Sequence, residues 1–131
     1  MQCQAILFDL DGTLLDTLAD LGRSVNRVLA AHGFPVHPLD AYRYFVGRGA
    51  RALVRRALPE GARDHATVDV CLAAFHDDYA RNWAVDTRPY DGVPAMLDAV
   101  AARDVPMAVL SNKPDAFTRL CVAELLPDWR F

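Results

Sequence analysis

The sequence has no long apolar run, and no stretch approaches the roughly 18 consecutive apolar residues that read as a membrane span. The short apolar segment at its start is interrupted by Asp9, so it does not read as a signal peptide. Cysteine is scarce: Cys3, Cys71 and Cys121 are odd in number, far apart and in no CxxC pair. That pattern reads as free thiols in a reducing compartment, not as a disulfide framework. Neither sign of charge dominates, with 14 basic and 17 acidic residues for a net charge of −3. The one notable basic cluster, Arg48, Arg51, Arg55 and Arg56, is too local for a nucleic-acid footprint. His32, His37, His65 and His76 lack metal-ligand spacing. Internal repeats and low-complexity tracts are also missing. These absences leave a soluble, cytoplasmic protein with neither a membrane nor a nucleic acid as partner.

What is present suffices for a core. The chain has 131 residues, 53% of them apolar, which suits one domain or a small domain carrying an insertion. Residues 4–8, with a continuous apolar run over 5–8 and a turn signal at Asp11-Gly12, show the pattern of a short buried strand. From Asp16 the period changes: Leu18, Leu21, Val25, Val28 and Leu29 fall three or four apart, one face of a helix. Asp16 is its expected N-cap and Gly33 its expected stop. Pro38 suits a first helical position ahead of Leu39, Tyr42, Phe45 and Val46. Residues 50–58 read as a short basic helix, and Val68, Cys71, Leu72, Phe75, Tyr79 and Trp83 as the face of a longer one. A helix with Val93, Leu97 and Val100 inside follows, then a second buried strand over 106–110. Asp115 is placed to cap a last helix.

The order is therefore strand, helical block, helix, strand, helix. Strands separated by helices point to an α/β fold with a parallel sheet. The block at 16–85 is far longer than a crossover needs, so it reads as an all-helical insertion. Residues 1–15 and 86–131 make up the sheet-bearing part. Ligands of open α/β sheets bind outside the carboxyl ends of the strands. Asp9, Asp11 and Ser111 all fall at such ends, where the inserted block can cover them.

The stretch "AILFDLDGTLLDT" ends its strand with two aspartates one residue apart. Residues two apart on a strand share a side, so Asp9 and Asp11 can face one pocket. Two adjacent carboxylates repel unless a cation sits with them, and Mg²⁺ with oxygen ligands and retained waters suits the pair. One aspartate can then attack phosphorus while the other hands a proton to a leaving oxygen. Gly12 lets the backbone turn close to an anion, and Thr13 offers a hydroxyl and an amide. At the second strand end Ser111 can donate to a phosphate oxygen, beside Asn112, and Lys113 can supply positive charge. Such a set serves phosphoryl transfer, where positioning and charge neutralisation carry the reaction. In the helical block, Gly47, Arg48 and Gly49 form a glycine-rich connection. It reads equally as a loop where Arg48 or Arg51 meets an anionic group and as an ordinary turn with solvated arginines.

"DLDGTLLDT" resembles the first motif of the haloacid dehalogenase-like hydrolases, and "VLSNK" resembles their second, in the right order and each after an expected strand. The segments "FVGRGARALVRRAL", "PYDGVPAMLDAV" and "LSNKPDAF" are similar to the phosphoglycolate phosphatase-like branch in particular. This resemblance implies a Rossmann-like core with a helical cap, and hydrolysis of a small phosphorylated metabolite through an aspartyl-phosphate. It implies Asp9 as nucleophile and Mg²⁺ ligand, and Asp11 as general acid/base that also binds Mg²⁺ through its backbone carbonyl. It implies Ser111 as a ligand of the transferring phosphoryl group; Gly12, Thr13, Asn112 and Lys113 complete the candidate phosphate-binding set, and Gly47, Arg48 and Gly49 are candidates to face substrate from the cap. A β-phosphoglucomutase-like phosphotransferase shares the cap type and remains an alternative.

The family continues with a third-motif lysine and a fourth-motif acidic pair, and neither is found in these 131 residues. After Ser111 the only lysine is Lys113, and after Asp115 the acids are Glu124 and Asp128, in no suitable context. The chain is thus expected to be the N-terminal portion of such an enzyme, weak or inactive alone. Two strands with an unpaired edge also leave open a monomer, a homodimer or self-association through that edge, including a non-catalytic fragment.

Overall fold

The computed structural model describes residues 3–131. Its chain divides into two units, Met1–Asp16 with Arg88–Phe131, and Thr17–Thr87.

The first unit is α/β. Strand β1 (Ile6–Phe8) pairs in parallel with β4 (Met107–Val109), in the register Ile6 to Met107, Leu7 to Ala108 and Phe8 to Val109. The ladder is extended at both ends, by Ile6 N donating to Pro106 O and Leu110 N donating to Phe8 O. Both strands are shorter than their apolar runs suggest. Leu7 and Leu110 are 68% and 69% exposed, so this two-stranded sheet is not covered on all sides. A second ribbon, which apolar periodicity gives no hint of, pairs β2 (Leu15–Asp16) antiparallel with β3 (Arg88–Pro89). Helix α4 (Val93–Ala101) opens at Gly92 in the left-handed region and carries Pro94 in its first turn, where a missing N–H costs nothing. Helix α5 (Asp115–Leu125) starts one residue differently from expectation: Pro114 takes the N-cap position, and the Asp115 carboxylate pairs with Arg119 one turn on. Leu10, Leu14, Leu15, Leu97, Cys121 and Leu126 have no exposed surface and form the core of this unit.

The second unit is helical throughout: α1 (Leu18–Ala31), a 3₁₀ segment Leu39–Tyr44, α2 (Gly49–Ala57), a short 3₁₀ turn Glu60–Ala62, and α3 (His65–Asn82). The apolar face of α1 is buried at Leu21, Val25, Val28 and Leu29, as its period demands. Asp16 is not its N-cap; Thr17 holds that position without a side-chain cap, because Asp16 is drawn into β2. Gly33 does end the helix, in the left-handed region at φ +75°. After Pro38 the chain forms a 3₁₀ segment and not an α-helix, and of its residues only Tyr42 is buried. Tyr42 lies against Gly22 of α1, where a Cβ atom would come within 2.8 Å of Tyr42 and Leu39. Its hydroxyl donates to Asn26 Oδ1 at 2.6 Å, and Asn26 also holds the His37 backbone from both sides. Asp64 caps α3, its carboxylate accepting the Thr67 amide and hydroxyl; the amide bond holds its pKa below the usual range.

Helices α1 and α3 are joined by a polar contact. Asp78 accepts from Ser24 Oγ at 2.6 Å and from the Arg27 guanidinium at 2.6–3.1 Å. The hydrogen bonds from Arg27 hold the Asp78 carboxyl below its ordinary pKa. A carboxylate so depressed adds stability that is present above its unfolded value and lost as pH falls through the folded one. The helical unit is therefore expected to weaken below about pH 4, and Asp78→Asn to flatten that acid slope. Urea midpoints at pH 7 and pH 3 check this; equal slopes in the two proteins refute it.

Candidate active site

The site is built from two loops, each leaving the carboxyl end of a strand of the parallel pair. Asp9 follows β1 directly and is exposed, and its Oδ1 accepts the Leu10 amide at 2.8 Å. Leu10 turns fully inward, and its carbonyl accepts the amides of Thr13, Leu14 and Leu15 at 3.0–3.2 Å. This knot fixes the turn. Gly12 sits in it at φ +78°, with its amide on Leu15 O and open space where a Cβ would point. Backbone conformation, not crowding, therefore calls for glycine here. Thr13 is exposed at the tip.

The second loop follows β4. Ser111 Oγ accepts the Lys113 amide at 3.1 Å, so its own proton remains for another acceptor. Asn112 is exposed. The Lys113 side chain is only 6% exposed, and its Nζ lies 3.1 Å from Asp11 Oδ1. That ammonium also stands 5.1 Å from the Phe117 ring centre. Asp11 Oδ1 is buried and, this ion pair apart, has no aligned hydrogen bond. The fold thus brings Asp9, Asp11, Gly12 and Thr13 into one turn, and joins that turn to the Ser111–Lys113 loop through one ion pair. Nearby Cys121 is fully buried; burial pushes its thiol up, which makes it a packing residue and not a nucleophile.

Gly47, Arg48 and Gly49 belong to the helical unit. The two glycines have φ of +111° and +83°, and the exposed Arg48 between them occupies the N-cap position of α2. Arg51, the other arginine considered for an anionic group, pairs on the surface with Asp69 at 2.6 Å.

Among the described residues no group of three or more His, Cys, Asp or Glu side chains converges as a ready metal cage. Mg²⁺ does not require one: it keeps several waters and takes one or two carboxylates together with substrate phosphate. Asp9, exposed at the end of β1, and the neighbouring Asp11 are the groups that could supply such a contact, although Asp11 Oδ1 itself is engaged by Lys113. No helix among the described residues is long and apolar enough to cross a membrane.

The sequence model of the haloacid dehalogenase-like hydrolases matches residues 6–126. Phosphoglycolate phosphatase of Pseudomonas putida is 44% identical over 117 residues, covering 86% of this chain and 42% of that protein. N-acetylmuramic acid 6-phosphate phosphatase of Pseudomonas aeruginosa is 39% identical over 117 residues, covering 89% of this chain and 51% of its own length. The chain thus spans about half the length of these curated relatives. Among solved structures, a protein of Lactobacillus delbrueckii subsp. bulgaricus, predicted to be a phosphoglycolate phosphatase, superposes with a TM-score of 0.92. It is 28% identical and covers 98% of this chain and 62% of that one.

Proposed function

This chain belongs to the haloacid dehalogenase-like hydrolases, and from that membership we propose that its two loops are the phosphoryl-transfer end of a phosphomonoesterase. The observation that carries the reading is the Asp9–Asp11 turn tied to the Ser111–Lys113 loop at the ends of paired parallel strands. Asp9 is the nucleophile: the Leu10 amide holds Oδ1, and Oδ2 is left to attack phosphorus. As the P–O ester bond breaks, Asp11 gives its proton to the leaving alkoxide, and Asp9 carries an aspartyl-phosphate. Water then attacks that phosphorus, Asp11 takes back a proton, and phosphate leaves. The Gly12 and Thr13 backbone, the Ser111 hydroxyl and Asn112 receive the phosphate oxygens. Asp9 and Asp11 would hold Mg²⁺, which when bound offsets the negative charge shared by the two carboxylates and the phosphoryl group.

Phosphoglycolate is the favoured substrate, on the strength of the relatives that bear that name. Within the helical unit, Gly47, Arg48 and Gly49 are the segment proposed to meet an anionic group, through the exposed Arg48. The chain by itself is expected to be weak or inactive, since Lys113 is its one lysine and, among the described residues, no third acidic side chain joins Asp9 and Asp11. Phosphate release from phosphoglycolate, with and without Mg²⁺, tests the reading. Slow release that requires the metal supports it. A folded chain that releases nothing and binds no inorganic phosphate overturns it.

A further inference from the structure

Lys113 is the only lysine in the chain; the other basic residues are arginines. Its burial and its partner set it apart. A buried carboxylate oxygen without a donor is costly, as is a buried ammonium without an anion. Asp11 Oδ1 and Lys113 Nζ answer each other at 3.1 Å, with the lysine side chain 6% exposed. The lysine is anchored along its length. Its amide donates to Ser111 Oγ, its carbonyl accepts from Thr118 Oγ1 at 3.3 Å, and its ammonium faces the Phe117 ring. Those contacts aim the charge at the first loop.

We infer that Lys113 is a positioning residue that holds the Asp11 carboxyl group by Oδ1, so that Oδ2 carries the proton toward the leaving group, and is not a ligand of the phosphoryl group. The inference rests on the phosphatase reading above. The choice of lysine over arginine fits it. A compact ammonium engages one carboxylate oxygen and leaves Oδ2 free to serve the leaving oxygen, whereas a guanidinium fork takes both.

The two roles separate by leaving group. A phosphoryl ligand meets the same group in every substrate, so its loss slows all esters alike. A residue that positions the proton donor matters when the departing oxygen is strongly basic, and hardly at all for an aryl oxygen. Lys113→Met is therefore expected to lower kcat on phosphoglycolate by about 100-fold, within the usual range for general acid catalysis. On p-nitrophenyl phosphate the fall is expected to stay under about 10-fold, with KM for both esters nearly unchanged. Equal losses on the two esters with raised KM would overturn the inference.

If the parent chain releases phosphate from neither ester and binds no inorganic phosphate, it is the phosphatase reading that fails; wherever turnover is too low to compare the two esters, a stability cycle decides the contact. Urea midpoints are compared for Asp11→Asn, Lys113→Met and the double variant. The second substitution is expected to shift the midpoint far less once the first is present. Should Lys113→Met alone not fold, recovery of folding in the double variant is the same result. Additive shifts, or no recovery, overturn the inference.

Discussion

Asp20→Ala is expected to cost the helical unit about 3–5 kcal/mol, the loss typical of removing one member of a buried charged network. Asp20 is 2% exposed in the first turn of α1. A single oxygen, Oδ2, accepts the amides of Asp86 and Thr87 and the Thr87 hydroxyl, each at 2.8 Å. Arg23 closes the arrangement, pairing with Asp86 and lying 3.5 Å from Asp20 Oδ1. The helical unit starts at Thr17 and ends at Thr87, so this carboxylate clasps the beginning of the unit to its end. Alanine orphans two amides and a hydroxyl, the amide of Thr87 among them well buried, at about 1–3 kcal/mol for each group that finds no water. Asparagine keeps one accepting oxygen but turns an NH₂ toward Arg23, so an intermediate loss is expected. Thermal and urea unfolding followed by circular dichroism measure both. A change under about 1 kcal/mol for alanine, the size of an ordinary surface substitution at most, would mean the clasp is solvated.

That clasp was legible only in part. Asp20 and Ser24 fall in the same four-residue row as Val28, and all three are buried. A carboxylate in register with an apolar row is a signal that a count of apolar residues alone passes over. Its partners lie at the far end of the helical unit, and no local pattern can name them. The same limit explains the β2–β3 ribbon, whose two-residue strands are shorter than any periodicity can resolve. The parallel pair, by contrast, was readable, because each strand is a continuous apolar run ended by a turn with its own chemistry. The turn at the end of β1 was readable for a related reason: Asp9, Gly12 and Thr13 lie in one short stretch whose backbone bonds are local. Lys113 was readable as a charge at the right strand end, but its partner depends on how two strands lie side by side, which is a property of the fold.

Asp9→Asn is expected to remove turnover altogether, a loss on the order of 10³-fold or more, as when a nucleophile is deleted elsewhere. The change is minimal in shape. Asparagine keeps an oxygen that can go on accepting the Leu10 amide, the one side-chain bond that Asp9 makes within its turn. What it loses is the anionic Oδ2, whose place is taken by an amide nitrogen with no lone pair to offer phosphorus. Asp9 is exposed, so no buried group is stranded and the unfolding midpoint should stay within about 0.5 kcal/mol of the parent. The two aspartates thus make opposite predictions from one chemistry. Asp20, buried and saturated with donors, is expected to govern whether the helical unit holds together, whereas Asp9, exposed and with one side-chain bond, is the group proposed to attack phosphorus. Phosphate release and denaturation, measured on the same Asp9→Asn sample, separate them: lost turnover with an unchanged midpoint supports the nucleophile role. Retained turnover at the parental rate would leave Asp9 without that role and move the search for the attacking group to Asp11.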